Sequence, residues 1–106
     1  MRATLHTLEQ TIRQRRSADP STSYVAKLAA RGRAKIAQKV GEEAVETVIA
    51  AMAEDRAEIV GESADLIFHL MMLLADMDVP FDAVLDELDR REGVSGIAEK
   101  AARPKD

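Results

Sequence analysis

Two long stretches joined by a short break dominate this sequence, and both are too apolar for one small domain to cover alone. Residues 33–53 carry apolar side chains on two faces of a helical wheel. Val45, Val48, Ile49 and Met52 form one face, and Ile36, Val40, Ala44 and Thr47 form the other. Lys35, Lys39, Glu42 and Glu46 fill the polar sector between them, with Glu43 at its border. The second stretch, about 56–76, is apolar nearly all round from Leu66 to Leu74. Asp55 followed by Glu58 is a capping-box spacing that opens it. A helix covered on every side needs neighbours, and a chain of 106 residues has few to offer. The expected fold is an all-α antiparallel bundle of about five helices, one domain over residues 1–106, completed by a second copy as a homodimer.

The other helices are shorter. Residues 3–16 place Leu5, Leu8 and Ile12 on one face and end in Arg13, Arg15 and Arg16, which suits the negative pole of a helix. Ser17 to Ser23, with Asp19-Pro20, reads as a loop. A short helix from about Ser23 to Arg31 follows, and Gly32 ends or kinks it. Asp78-Val79-Pro80 opens a last helix of about a dozen residues, with Phe81, Val84, Leu85 and Leu88 inward. The tail 93–106 holds two glycines and a proline and is expected to be partly mobile.

Composition removes several function classes. With no cysteine, there is no disulfide, thiolate zinc site or cysteine nucleophile. The net charge of −4, from 15 basic and 19 acidic residues, speaks against a nucleic-acid binder. The scarce aromatics (Tyr24, Phe68 and Phe81) disfavour single-strand stacking platforms. The most apolar run is interrupted by His69 and is too short to span a bilayer. Residues 1–20 lack the continuous apolar stretch of a signal peptide, so a soluble cytoplasmic protein is the default expectation.

The chemistry lies in two acidic clusters on the long helices. Glu42, Glu43 and Glu46 form the first; Glu62 and Asp65 form the second, after fifteen intervening residues. Glu43 and Glu46, like Glu62 and Asp65, are spaced i, i+3 and are helix-surface neighbours. Antiparallel packing would bring four carboxylates together beside an apolar core, a costly arrangement unless they are paired or metal-bound. The bland reading is a solvated acidic face. Oxygen-only ligands favour Mg²⁺, with Mn²⁺ as a substitute, over the Glu-x-x-His pairs of di-iron bundles. Mg²⁺ in turn suggests phosphate chemistry. Lys35 and Lys39 lie on the same face as Glu42 and Glu46, where the plainer role is a local ion pair. Arg16, Lys27, Arg31 and Arg33 lie upstream, within possible reach of a polyphosphate. No P-loop is present. His69, four residues after Asp65, reads first as a buried, hydrogen-bonded histidine and second as a substrate contact.

Glu-Glu-x-x-Glu, a gap, then Glu-x-x-Asp resembles the signature of the MazG-like all-α nucleotide pyrophosphohydrolases. Within that group the chain is similar to the phosphoribosyl-ATP pyrophosphatase family. The matching segments are Ser23-Tyr24-Val25-Ala26-Lys27-Leu28, Lys39-Val40-Gly41-Glu42-Glu43-Ala44-Val45-Glu46, Ala64-Asp65-Leu66-Ile67-Phe68-His69-Leu70 and Ser95-Gly96-Ile97-Ala98-Glu99-Lys100. The resemblance covers roughly residues 5–103. It implies a MazG-like helical dimer that uses Mg²⁺ to hydrolyse phosphoribosyl-ATP to phosphoribosyl-AMP and pyrophosphate in histidine biosynthesis. It also implies Glu43, Glu46, Glu62 and Asp65 as metal ligands. Glu42, Glu43 and Glu46 become candidate catalytic residues, and Arg16, Lys27, Lys35 and Lys39 candidate substrate contacts. Residues 30–38 depart from the family's usual run, so the resemblance assigns no role to Arg31 or Arg33. Without the length or cysteines of a fused cyclohydrolase domain, the stand-alone form is expected. Two other readings stay open: a general MazG-like nucleoside triphosphate pyrophosphohydrolase, and a non-catalytic helical dimerisation module.

Overall fold

The computed structural model describes residues 2–93, 96, 100, 101 and 103. The expected mobility of the tail, and most of its Ser95–Lys100 match, lie outside the described residues. Five helices follow in order: α1 (Arg2–Arg15), α2 (Tyr24–Arg31), α3 (Arg33–Met52), α4 (Arg56–Asp76) and α5 (Phe81–Arg91). No strand occurs among the described residues. The all-α expectation holds, with each long helix within a residue of its expected bounds.

The ends of these helices have local causes. Ser23 Oγ accepts from Ala26 N at 3.2 Å and so starts α2. Gly32 ends α2 and begins α3 with φ near +92°, a conformation that glycine adopts without a Cβ clash. Between α3 and α4 only Ala53, Glu54 and Asp55 intervene, so the two helices form an antiparallel hairpin. Glu54 sits in the left-handed region (φ 55°). Glu54 N donates to Ala51 O and Asp55 N to Ala50 O, closing α3 in a Schellman motif. Asp55 Oδ1 then accepts from Glu58 N at 3.0 Å and opens α4. The expected capping box is thus half used, because Asp55's own N–H already serves the end of α3. The same device ends α4: Asp78 has φ 55°, and Val79 N donates to Leu74 O at 2.8 Å.

The core lies at the base of the hairpin. Ile12, Val25, Leu28, Ile36, Met71, Met72, Ala75, Phe81 and Leu85 form it, drawn from all five helices. Long-range polar contacts fix α1 against the α4–α5 junction. Pro80 has no side-chain cap to offer α5, and Glu9 Oε2 accepts from Phe81 N at 2.8 Å instead. Arg16 and Arg33 both reach Asp76, at 3.5 and 2.7 Å, and each donates to a terminal carbonyl of α4, Ala75 O and Asp76 O respectively. Cations there complement the negative helix end.

Away from the base, the apolar face of α3 is uncovered. Val48 is 60% exposed and Met52 79%; Val45 and Ile49 are similarly open, as is Val60 on α4. Leu88, expected inward, is exposed; α5 sends Phe81 and Leu85 into the core instead. Among the described residues, no helix is long and apolar enough to cross a membrane.

Candidate active site

The hairpin brings the two acidic clusters together. Glu43 on α3 and Glu62 and Asp65 on α4 each present a carboxylate oxygen within 4.8 Å of the other two. The antiparallel pairing produces this, since residue 43 lies across from the turn of α4 that carries 62 and 65. Glu43 is only 7% exposed. Glu43 Oε2 and Glu62 Oε2 are sealed from solvent with no hydrogen-bond partner among the described residues. A buried carboxylate oxygen without a donor is costly.

Glu46 stands beside this group without joining its three converging oxygens. Its effect appears on Glu62, whose carboxyl is pushed up to about 7. Hydrogen bonding to the Glu46 carboxylate is the largest cause, followed by burial and then by Glu43. In the bare chain Glu62 therefore keeps its proton well beyond the ordinary carboxylate range. Lys39 is the nearest balancing cation, with Nζ 3.2 Å from Glu42 Oε1 and 3.9 Å from Glu43 Oε1. Its hydrogen bond to Glu42 holds the ammonium above its ordinary range.

One lysine against Glu43, Glu46, Glu62 and Asp65 leaves the cluster negative. Orphaned, converging, oxygen-only donors fit a hard divalent cation. The residues present therefore fit Mg²⁺ or Mn²⁺.

A cavity of about 220 Å³ adjoins the cluster, walled by Tyr24, Lys27, Leu28, Arg31, Lys35, Lys39 and Glu42. Four cations line it against a single carboxylate. Glu42 faces this basic cavity; donors from Gln38 and then Lys39 hold its carboxyl below the ordinary range. Glu46 instead borders a second cavity of about 230 Å³, with Ile49, Ala50, Ala53, Asp55, Glu58 and Glu62. The polar sector read from the wheel is thus divided, with Lys35, Lys39 and Glu42 on one side of the cluster and Glu46 on the other.

Lys27, Lys35 and Lys39 come together in the basic cavity, and Arg31 joins them. Arg16 does not. Its guanidinium is engaged at Ala75 and Asp76, about 15 Å along α4 from Asp65 at 1.5 Å per residue. Arg33 is held at the same place. His69 is buried, 5% exposed, with Nδ1 2.7 Å from Asp65 O and Nε2 2.8 Å from the Tyr24 hydroxyl. Its spacing from Asp65 announced a hydrogen-bonded histidine, but Tyr24 lies 45 residues earlier and no local pattern joins the two.

The profile of the family described as phosphoribosyl-ATP pyrophosphohydrolase matches residues 5–92, which include every residue of this site. The phosphoribosyl-ATP pyrophosphatase of Rhizorhabdus wittichii is 71% identical over 99% of both chains. The protein of that name from Novosphingobium aromaticivorans is 73% identical over 91% of this chain and 90% of its own. The one from Zymomonas mobilis is 63% identical over 96% and 95%. Similarity of this extent spans both acidic clusters and the basic cavity together, and the chain belongs to the phosphoribosyl-ATP pyrophosphohydrolase family.

Proposed function

We propose that this chain hydrolyses phosphoribosyl-ATP to phosphoribosyl-AMP and pyrophosphate, the second step of histidine biosynthesis, in a Mg²⁺-dependent reaction. Family membership makes it a hydrolase of phosphoric anhydrides. The observation that carries the finer reading is one juxtaposition: converging carboxylates of Glu43, Glu62 and Asp65, with Glu43 Oε2 and Glu62 Oε2 buried and lacking a hydrogen-bond partner, beside a cavity walled by four cations.

Glu43, Glu62 and Asp65, with Glu46 adjoining, would hold the metal. When bound, Mg²⁺ neutralises charge on the phosphate oxygens and polarises them. Lys27, Lys35 and Lys39 bind the phosphate chain, and Glu42 orients the Lys39 ammonium. Glu46, exposed and outside the three converging oxygens, is the carboxylate placed to orient the attacking water. One water is consumed: its oxygen bonds to one of the two phosphorus atoms, and the bond bridging α- and β-phosphates breaks. Cationic side chains stabilise the departing pyrophosphate.

The chain acts as a homodimer in this reading, because the open face of Val45, Val48, Ile49 and Met52 is an apolar stripe of the kind a symmetric partner covers. A cytoplasmic location follows from the biosynthetic role.

The deciding assay supplies phosphoribosyl-ATP with Mg²⁺ beside a panel of deoxynucleoside triphosphates and separates pyrophosphate from orthophosphate. Pyrophosphate from phosphoribosyl-ATP alone is expected. Pyrophosphate from the deoxynucleotides instead would move the protein to general nucleotide hydrolysis. No product from any would leave a binding module.

A further inference from the structure

Tyr24 is unusual in two respects. It is the only tyrosine of a chain with three aromatics, and it lies half exposed in the wall of the basic cavity. Its position is nevertheless fixed. One side of the ring meets Phe68 at 6.0 Å, and the imidazole of His69 meets it edge-on at 5.8 Å. The hydroxyl is bonded to His69 Nε2 at 2.8 Å.

The direction of that bond follows from the other end of the ring. Asp65 O is a carbonyl and only accepts, so His69 Nδ1 carries the proton that it donates there. In the neutral imidazole Nε2 is then an acceptor, and the Tyr24 hydroxyl donates to it. Burial raises the phenol above its ordinary range, which keeps that proton in place. The tyrosine is held by its tip through a chain that begins at the backbone of Asp65. Its polar end is spoken for, and what remains for a ligand is ring surface beside Lys27, Lys35 and Lys39.

We infer that Tyr24 is the platform on which the purine ring of the substrate stacks, and that His69 is a positioning residue that locks this platform relative to the acidic cluster. A planar, rigid aromatic next to a phosphate-binding wall suits a nucleotide, since stacking needs a flat face and costs little entropy when the side chain is already fixed. The inference rests on the reaction proposed above.

The test separates base from phosphate. Inhibition of phosphoribosyl-ATP turnover would be measured with ATP and with inorganic tripolyphosphate, which has no base. Tyr24→Leu is expected to raise KM and the ATP inhibition constant about tenfold, with kcat and the tripolyphosphate constant within about twofold. Equal weakening of both inhibitors, or of neither, would overturn the stacking role.

For His69, the two amides differ in which ring nitrogen they imitate. His69→Gln keeps an acceptor for the tyrosine and should stay near the wild-type KM. His69→Asn keeps only the donor to Asp65 and should resemble Tyr24→Phe, with a KM raised a few-fold. The double variant Tyr24→Phe/His69→Asn should be no worse than either single change. Additive effects would show that His69 does not act through Tyr24. A wild-type protein that leaves phosphoribosyl-ATP untouched would remove the underlying reaction, a result distinct from active enzyme with an indifferent Tyr24.

Discussion

At its base, the α3–α4 hairpin buries Ile36, Met71, Met72 and Ala75 among residues of α1, α2 and α5. Further along the same helices, side chains of the same kind (Val45, Val48, Ile49 and Met52) lie open, and four carboxylates face one another across the interhelical seam. Residue type does not distinguish the two halves; the supply of neighbours does. The base has three other helices to pack on, and in the outer half α3 and α4 have chiefly each other. The difference separates two tasks. Stability is concentrated at the base, which lets the outer half carry a cluster of like charges and orphaned oxygens that would be ruinous in the core.

The sharpest way to break this comparison is chemical. Asp65→Asn and Glu46→Gln are expected to lower Mg²⁺-dependent turnover by at least about 100-fold, the upper end of what losing a supporting partner costs a metal site. Their denaturation midpoints without metal should be equal to or above that of the wild type, because each removes a repelling charge. Near-normal turnover in both folded variants would strip the cluster of its role.

Next in size is the packing contrast. Ile36→Ala at the base should cost about 2–5 kcal/mol in urea unfolding. Val48→Ala should cost under about 0.5 kcal/mol at dilutions where a dimer is dissociated. Ile49→Asp should shift the species seen by ultracentrifugation to the 11.6 kDa monomer. A wild type that already sediments at that mass at high concentration would rule out the dimer.

The third contrast is in pH. Glu62 titrates near 7 in the folded, metal-free chain against an ordinary 4.5. A folded state that holds a proton more tightly than the unfolded chain is favoured at low pH. This contribution is fully present below about 4.5 and is lost as pH rises through 7. The melting temperature of metal-free protein should therefore decline across that window, Glu62→Gln should flatten the decline, and Mg²⁺ should oppose it most at the alkaline end. A metal-free profile that rises between pH 5 and 7 in the wild type and is unchanged in Glu62→Gln would contradict the raised Glu62 carboxyl.

The smallest effects are in the turn that joins α3 to α4. Asp55→Ala should cost about 1 kcal/mol by removing the cap on Glu58 N. Glu54→Gly should stabilise by about 0.5 kcal/mol by relieving a left-handed non-glycine residue. Parallel urea titrations would check both.

Much of this was legible in the sequence because it is local. Periodicity placed α3 and α4, and the Asp55–Glu58 spacing placed the break between them. The i, i+3 spacing of Glu43 with Glu46 and of Glu62 with Asp65 brought the acids to one seam. What the sequence hid depends on contacts made across long separations. Arg16 reads as a free cation at a helix end until α4 ends beside it, 59 residues later. Glu9 caps a helix that starts 72 residues away. Glu46, expected among the converging ligands, is not one of the three whose oxygens converge, and it bonds to the Glu62 carboxyl instead. Leu88 fits the inner face of α5 by period, yet it is more than half exposed.

Glu54 and Asp78, both left-handed, pin the two ends of α4's surroundings: one closes the helix before it and the other closes α4 itself. Between those stops the helix behaves like a toothed rack with a set phase. One residue inserted between Asp55 and Glu62 would turn everything beyond it by about 100° and advance it about 1.5 Å, carrying Glu62 and Asp65 out of mesh with Glu43. Length variation in relatives of this chain should therefore accumulate in the loop between α1 and α2, where no phase is kept, and be purged from the span between the α3–α4 turn and Asp65.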